Sequence, residues 1–383
     1  MNIRKEISTL SGSELQKFRA ALTQLQNDTA RNNYQFMAGL HGLPNPSNCP
    51  HHLPTFLPWH RLYLSQFESL LQRFDPSVTL SYWDWTSEQA IAEGIPNLIA
   101  DSTVSDRDGN DVNNPLASAV VGFQDRSTSR NPREAGRLRF YADDVATAMA
   151  QNIFYTASAE TLDFTTALEA PHDSFHDWVR GDMGRVAFSA YDPIFWLHHC
   201  NIDRLWAEWQ VNNPEVVLPE ELLEQSLPFY SQKIRDTLDF KALGITYDTL
   251  QVPSGDSSFQ PFELDSKIPT KSLRFKQTLL LVNGLIMTKE TYELRVFVNT
   301  EGDFEPSIDS DNFAGIITLL GMGGAMNPNG FRGEFGRAID LSSALNKMNA
   351  DKLESISVRG FNENGDRISV TDIVPNLRFK IEE

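Results

Sequence analysis

The chain is poor in cysteine, in basic charge and in long apolar runs, and each shortage removes a class of protein. Only Cys49 and Cys200 occur in 383 residues, too few for a disulfide scaffold or a cysteine-rich zinc site. Lys plus Arg number 33 against 51 Asp plus Glu, a net charge of −18. That excess repels phosphate backbones and anionic lipid, so neither nucleic acid nor a membrane is an expected partner. The most apolar stretch, Thr278 to Met287, is interrupted by Asn283 and Gly284 and falls far short of the roughly 20 residues of a spanning helix. The N-terminus has a basic start but no apolar segment of the secretory kind, which gives a cytoplasmic location as the expectation.

What is present is ordinary for a folded chain. Hydrophobic residues make up 40% and charged residues 22%, and at roughly 100–200 residues per domain the length allows two or three. Ser11 and Glu14 form a capping-box pattern ahead of Leu15, Phe18, Ala21, Leu22 and Leu25 at helical spacing, predicting a helix over 13–27. Further helices are expected from Pro58 to Phe74, from Pro171 to Arg180 with Gly181 just beyond, and from Asp192–Pro193 through Trp209, each opened by a proline suited to a first turn. Residues 86–140 read as surface loops with short helices.

After about residue 250 the pattern changes. Ser254 to Ser258 is linker-like, and Asn283-Gly284 between two apolar runs signals a hairpin. Alternating Tyr292, Leu294, Val296 and Val298, then Ser355–Val358 and Ile368–Val370, continue as strands. The expected architecture is α+β in two domains: a helical domain over 1–250, a linker over 251–270 and a β-sandwich over 271–383.

Histidine is unevenly placed. The eight are His41, His51, His52, His60, His172, His176, His198 and His199, and none follows His199. A lone histidine is most often a surface or hydrogen-bonded core residue, but that reading has to explain two clusters at once. His172 and His176 lie four apart, on one face of a helix. The next helix offers His198 or His199 as a third ligand, and Asp203, four after His199, is either a partner behind a ligand or half of an ion pair with an arginine. His41, His51 and His60 supply a second set. Imidazole sets without a ligand-spaced carboxylate fit neither magnesium nor the two-histidine, one-carboxylate iron site, and a pair of such sets favours two copper ions over zinc.

At this point the residues resemble a known family. The run Asp192-Pro193-Ile194-Phe195-Trp196-Leu197-His198-His199-Cys200-Asn201-Ile202-Asp203, with His172 and His176 upstream, resembles the second copper signature of the type 3 copper proteins. These are the tyrosinases, catechol oxidases and molluscan hemocyanins. His41 with the run His51 to Tyr63 resembles the first signature, whose second and third ligands stand nine apart. That register implies His41, His51, His60, His172, His176 and His199 as ligands, with His52 and His198 outside the set. Cys49 resembles the cysteine that forms a thioether with the ligand two residues on, here His51, whereas Cys200 reads as a packed neighbour without a chemical role. Residues 3–27 and the run Phe313 to Gly321 resemble further parts of hemocyanin units.

The resemblance implies a four-helix core around two copper ions that bind dioxygen as a bridging peroxide. A phenol or catechol beside them would become an ortho-quinone. Glu169 and Asp173 are the candidate bases for the phenol proton, against the alternative that a first-turn acid complements the helix dipole. In hemocyanin units an apolar side chain of the C-terminal domain lies over the copper pair. Ile317 and Leu319 are candidates for that role, weighed against a buried-strand reading that is favoured. The chain departs from the hemocyanins in its few cysteines and its single unit, which favours a phenol oxidase, in latent or open form, over the alternative of a reversible oxygen carrier.

Overall fold

The computed structural model describes residues 2–31, 33–45, 48–106, 108–158, 161–250, 278–301, 304–323 and 333–382. The expected linker at 251–270 lies outside them. Ser11 caps helix α1 (Gly12–Asn27) as the sequence suggests: its hydroxyl accepts from Glu14 N while Glu14 accepts from Ser11 N. Helix α2 (Tyr34–His41) is capped by Asn33 and ends on His41. Helix α3 (Phe56–Gln72) begins two residues before Pro58, within whose first turn that proline costs no essential donor.

Helix α4 (Leu138–Met149) packs on α5 (Phe164–Val179). Pro171 is not the start of α5 but lies inside it. Asp163 caps the helix upstream by accepting from Thr166 N, and the buried run Phe164, Leu168 and Pro171 carries it through. Helix α6 (Ile194–Asn212) follows Pro193 and packs against α3. Residues 86–140 contain the short helices Glu88–Glu93 and Asn97–Ala100, with two small antiparallel ribbons. A parallel pairing of Asn2–Arg4 with Ile245–Tyr247 ties the N-terminus to the end of the helical part.

The C-terminal part holds two antiparallel sheets. In one, β1 (Leu279–Leu285) lies between β4 (Phe335–Asp340) and β7 (Arg378–Glu382). In the other the order is β6 (Arg367–Ile368), β5 (Ile356–Asn362), β2 (Tyr292–Val298), β3 (Phe313–Leu319). Leu280 and Val282 of β1, Leu294 and Val296 of β2, Ile317 and Leu319 of β3 and Ile339 of β4 share one apolar cluster. Burial of such aliphatic side chains, at about 25 cal/mol per Å² of apolar surface, stabilises this shared cluster.

The expected hairpin at Asn283-Gly284 is not formed: β1 runs straight through it. The left-handed conformation of Gly284, φ 82, instead makes a bulge. Register against β4 passes from Phe335 opposite Leu285 to Arg337 opposite Val282. A Cβ at Gly284 would stand 2.1 Å from Asn376 O. Positive φ is needed there to let the neighbouring chain approach, not to reverse the strand.

The sheets meet the helices along α5. Ser174 Oγ and Thr318 Oγ1 are 3.1 Å apart, Arg337 Nη2 donates to Asp173 at 2.8 Å, and Arg137 Nη2 donates to Glu293 at 2.5 Å. No helix among the described residues is long and apolar enough to cross a membrane.

Candidate metal centre

The imidazoles come from four helices and one turn. His41 ends α2, His60 lies in the second turn of α3, His172 and His176 face the interior from α5, His199 does so from α6, and His51 occupies the turn before α3. All are buried. Gly42 lets the end of α2 sit close to the distant segment Val186–Ser189, since a Cβ there would meet Ala187 O at 2.4 Å.

Backbone carbonyls orient these rings. His41 Nδ1 donates to Val186 O at 3.2 Å, His60 Nδ1 to Phe56 O at 2.9 Å and His176 Nδ1 to Met183 O at 2.9 Å. His172 Nδ1 donates to Asp173 Oδ1 at 3.1 Å. A proton held on Nδ1 leaves Nε2 with its lone pair. The Nε2 atoms of His172 and His176 then converge on that of His199, at 3.3 and 3.4 Å. Lone pairs brought together in a buried space repel unless a cation lies among them. Ligand atoms of His172, His176, His198 and His199 lie within 4.8 Å of one another, as do those of His41, His60 and His199, and of His41, Cys49 and His51.

The charge states agree with metal ligation. Burial pushes His60 down to about 3 and His176 down to about 4. It pushes His41, His51, His172 and His199 well below the ordinary histidine value. Neutral imidazoles are what copper or zinc takes, and an all-imidazole set suits copper. The residues present therefore fit a pair of such ions.

The two sets are not equally closed. The α5–α6 set brings its three expected ligands together. In the other, His41 stands near His60 and near His51, with Cys49 Sγ between: 3.7 Å from His51 Nε2 and 3.5 Å from His60 Nε2. Burial pushes the Cys49 thiol well up, so it is neutral. His198 turns its Nδ1 to accept from Trp85 Nε1 at 3.0 Å, and its ring stacks on Phe175. Cys200 is buried among the core residues.

Asp203 settles on the ion-pair alternative. It accepts from Arg61 Nε at 2.6 Å, Arg4 Nη1 at 3.2 Å and Tyr247 OH at 2.5 Å, and touches no imidazole. Arg61 follows His60, so this buried knot locks α3 to α6 without entering the centre. Ile317 and Leu319 are not brought to the histidines either. Strand alternation turns Thr318 toward α5 and sends its two neighbours into the cluster between the sheets.

Among the described residues, Phe335 and Arg337 of β4, which sequence reasoning missed, reach from the sheets to His52 and Asp173. Phe335 stacks on His52 with ring centroids 3.7 Å apart, and Arg337 Nη2 lies 3.0 Å from His52 Nδ1 and 2.8 Å from Asp173 Oδ2. Glu169 Oε1 accepts from His52 N at 2.7 Å, and its other oxygen is 3.8 Å from Arg337. Burial pushes Asp173 up to about 6 and raises Glu169 as well, with Arg337 opposing both. A cavity of about 280 Å³ opens beside His52, Phe335 and Arg337 and reaches Asp163 and Thr166 on α5. A charged residue at strand spacing next to an aromatic carries no motif, which is why β4 gave no signal in the sequence.

Comparison with known proteins adds the following. A family model described as the common central domain of tyrosinase matches residues 31–212. The hemocyanin beta-C chain unit D of Helix pomatia is 32% identical over 360 residues, covering 84% of this chain and 82% of that protein. Hemocyanin units G and H of Sepia officinalis are 33% identical over 228 residues, 54% of this chain, and the match spans 37% of that longer protein. A solved tyrosinase from Burkholderia thailandensis superposes with a TM-score of 0.74 at 18% identity, covering 100% of this chain and 99% of that one. That likeness is one of fold.

Proposed function

Since the chain belongs to the type 3 copper proteins, the family of tyrosinases and molluscan hemocyanins, we propose that it is a dicopper phenol oxidase that takes dioxygen and oxidises phenols or catechols to ortho-quinones. His41, His51 and His60 would hold one ion and His172, His176 and His199 the other. Copper held there supplies dioxygen binding and redox chemistry on an adjacent phenol. We read residues 1–250 as the helical domain and 271–383 as a C-terminal β-sandwich that governs access.

The observation that carries the reading is the pair of buried carboxyls beside His172. Asp173 Oδ1 orients the His172 ring, while its Oδ2 faces Arg337 next to a cavity of about 280 Å³. An oxygen carrier needs no group to receive a proton, whereas a phenol must lose one. Asp173 Oδ2 and Glu169 Oε2, both buried, are acceptors for it. Cys49 is proposed to bond through sulfur to an imidazole carbon of His51, with loss of two hydrogens to dioxygen, which would fix that ring.

The alternative, a reversible oxygen carrier or a latent enzyme, is favoured by Phe335 stacked on His52, the neighbour of His51. Oxygen uptake by the copper-loaded chain supplied with catechol, beside a metal-stripped control, decides. Sustained uptake with quinone appearing is expected. Reversible oxygen binding without turnover would overturn the oxidase reading.

A further inference from the structure

A cavity of about 590 Å³ lies where the helical part meets the sheets, lined in part by Arg126, Arg180, Arg185, Asp182, Glu363 and Thr291. The full lining carries three guanidinium groups, of Arg126, Arg180 and Arg185, and three carboxylates, of Asp177, Asp182 and Glu363. Arg126 is engaged with both oxygens of Asp182, at 2.5 and 2.9 Å. Arg185 reaches Glu363 only loosely, at 3.3 and 3.4 Å, with both side chains partly in solvent. Arg180 donates once, to the carbonyl of Glu363 at 2.7 Å, and among the described residues it has no carboxylate at ion-pair distance. Asp177 is held by Arg133 at 2.9 and 3.1 Å, Asp182 by Arg126 and Glu363 by Arg185, so each carboxylate of the lining already has an arginine while Arg180 faces the open space without one.

The backbone beneath it is held in an uncommon shape. Arg180 has φ 60 and ψ −160, and Gly181 follows with φ 58, where a Cβ would stand 2.1 Å from Ser129 O. A non-glycine residue there is strained and persists where the surroundings fix it. What this segment carries links it to the imidazoles. Between Arg180 and Val186 lie the carbonyl that receives His176 Nδ1–H, Met183 O, and the one that receives His41 Nδ1–H, Val186 O. Gly184 O accepts from Thr291 Oγ1 at 2.7 Å, tying the segment to the sheets. One ring of each ligand set is thus oriented by the stretch whose arginines line the cavity.

We propose that this cavity binds a small oxyanion, a carboxylate or phosphate, and that its occupancy is coupled to copper retention through residues 180–186. Guanidinium groups match the planar, two-oxygen edge of such anions. An anion bridging Arg180 and Arg185 would hold the segment, and with it the Met183 and Val186 carbonyls, in the ring-orienting arrangement. Coupling of binding equilibria is reciprocal, so copper loading must strengthen anion binding by the same factor. The inference rests on copper occupancy and not on whether the chain turns over phenols.

The test is calorimetric titration of inorganic phosphate, and separately of citrate, into the copper-loaded chain. One-site binding of either is expected, weakened about tenfold by Arg180→Gln or Arg185→Gln and unchanged by Lys347→Gln, an exposed charge elsewhere. Absence of binding of both anions up to about 10 mM, or equal affinity in all three variants, overturns the site. Copper release to a chelator is then timed with and without saturating anion. Slower release in the parent chain but not in Arg180→Gln is expected, and identical rates overturn the coupling.

Discussion

The helical part and the sheet part of this chain are both built on buried aliphatic and aromatic side chains, yet they use their interiors differently. Up to Asn212 the core encloses imidazoles, carboxylates and guanidinium groups: the eight histidines, Asp173, Asp203, Arg4 and Arg61 are among its buried or nearly buried residues. Beyond Leu279 the cluster between the sheets is leucine, isoleucine, valine and alanine. Its charged side chains, Glu293 and Arg337, point out of that cluster toward the helices. A hydrophobic interior can be assembled from composition alone, but a buried polar group must find its partner or lose several kcal/mol. Chemistry therefore concentrates where partners were built in, and the sheets contribute by reaching across.

The contrast can be broken hardest at the ligands. His199→Ala removes the ring on which His172 and His176 converge, and copper affinity should fall by more than about 100-fold, beyond the range for outer partners. Metal analysis after gel filtration would read it as loss of at least one copper per chain. Stripping copper from the parent chain should raise amide exchange in α5 and α6, while β1 and β2 keep their protection, because binding stabilises what it touches. Uniform loosening of both parts would contradict the division of roles.

Smaller effects sharpen it. Asp203→Ala leaves Arg61 buried without its carboxylate and should cost about 3–5 kcal/mol in denaturant unfolding. Ile317→Ala should cost about 2–4 kcal/mol as a core truncation, with copper content and catechol turnover per folded molecule unchanged. A gain in turnover would restore it as a cover over the site. Thr318→Ala, which removes the contact with Ser174, should cost about 1 kcal/mol; a much larger loss would mean that one hydroxyl pair holds the two parts together.

Much of the helical part was legible because its signals are local. The Ser11–Glu14 box marks α1 within a residue, and His172 and His176 at helical spacing do share a face. Errors arose where one residue type serves two purposes. Pro171 reads as a helix start, but Asp163 caps the helix earlier and the proline rides inside. Asn283-Gly284 reads as a turn, but the same positive φ serves a bulge within β1. Asp203 had two readings, and only its distances to Arg61 and Arg4 separate them.

The sequence by itself determined the kind of centre this protein can build, because ligand chemistry follows from residue type and helical spacing, both of which are properties of short runs. Only the tertiary structure decided what surrounds it. That Arg337 of β4 meets Asp173 of α5, that Phe335 lies on His52, and that Val186 aims the His41 imidazole are contacts between segments far apart in the chain. No periodicity encodes such meetings. They depend on how the sheets dock on the helices, which is fixed by the packing of many side chains at once.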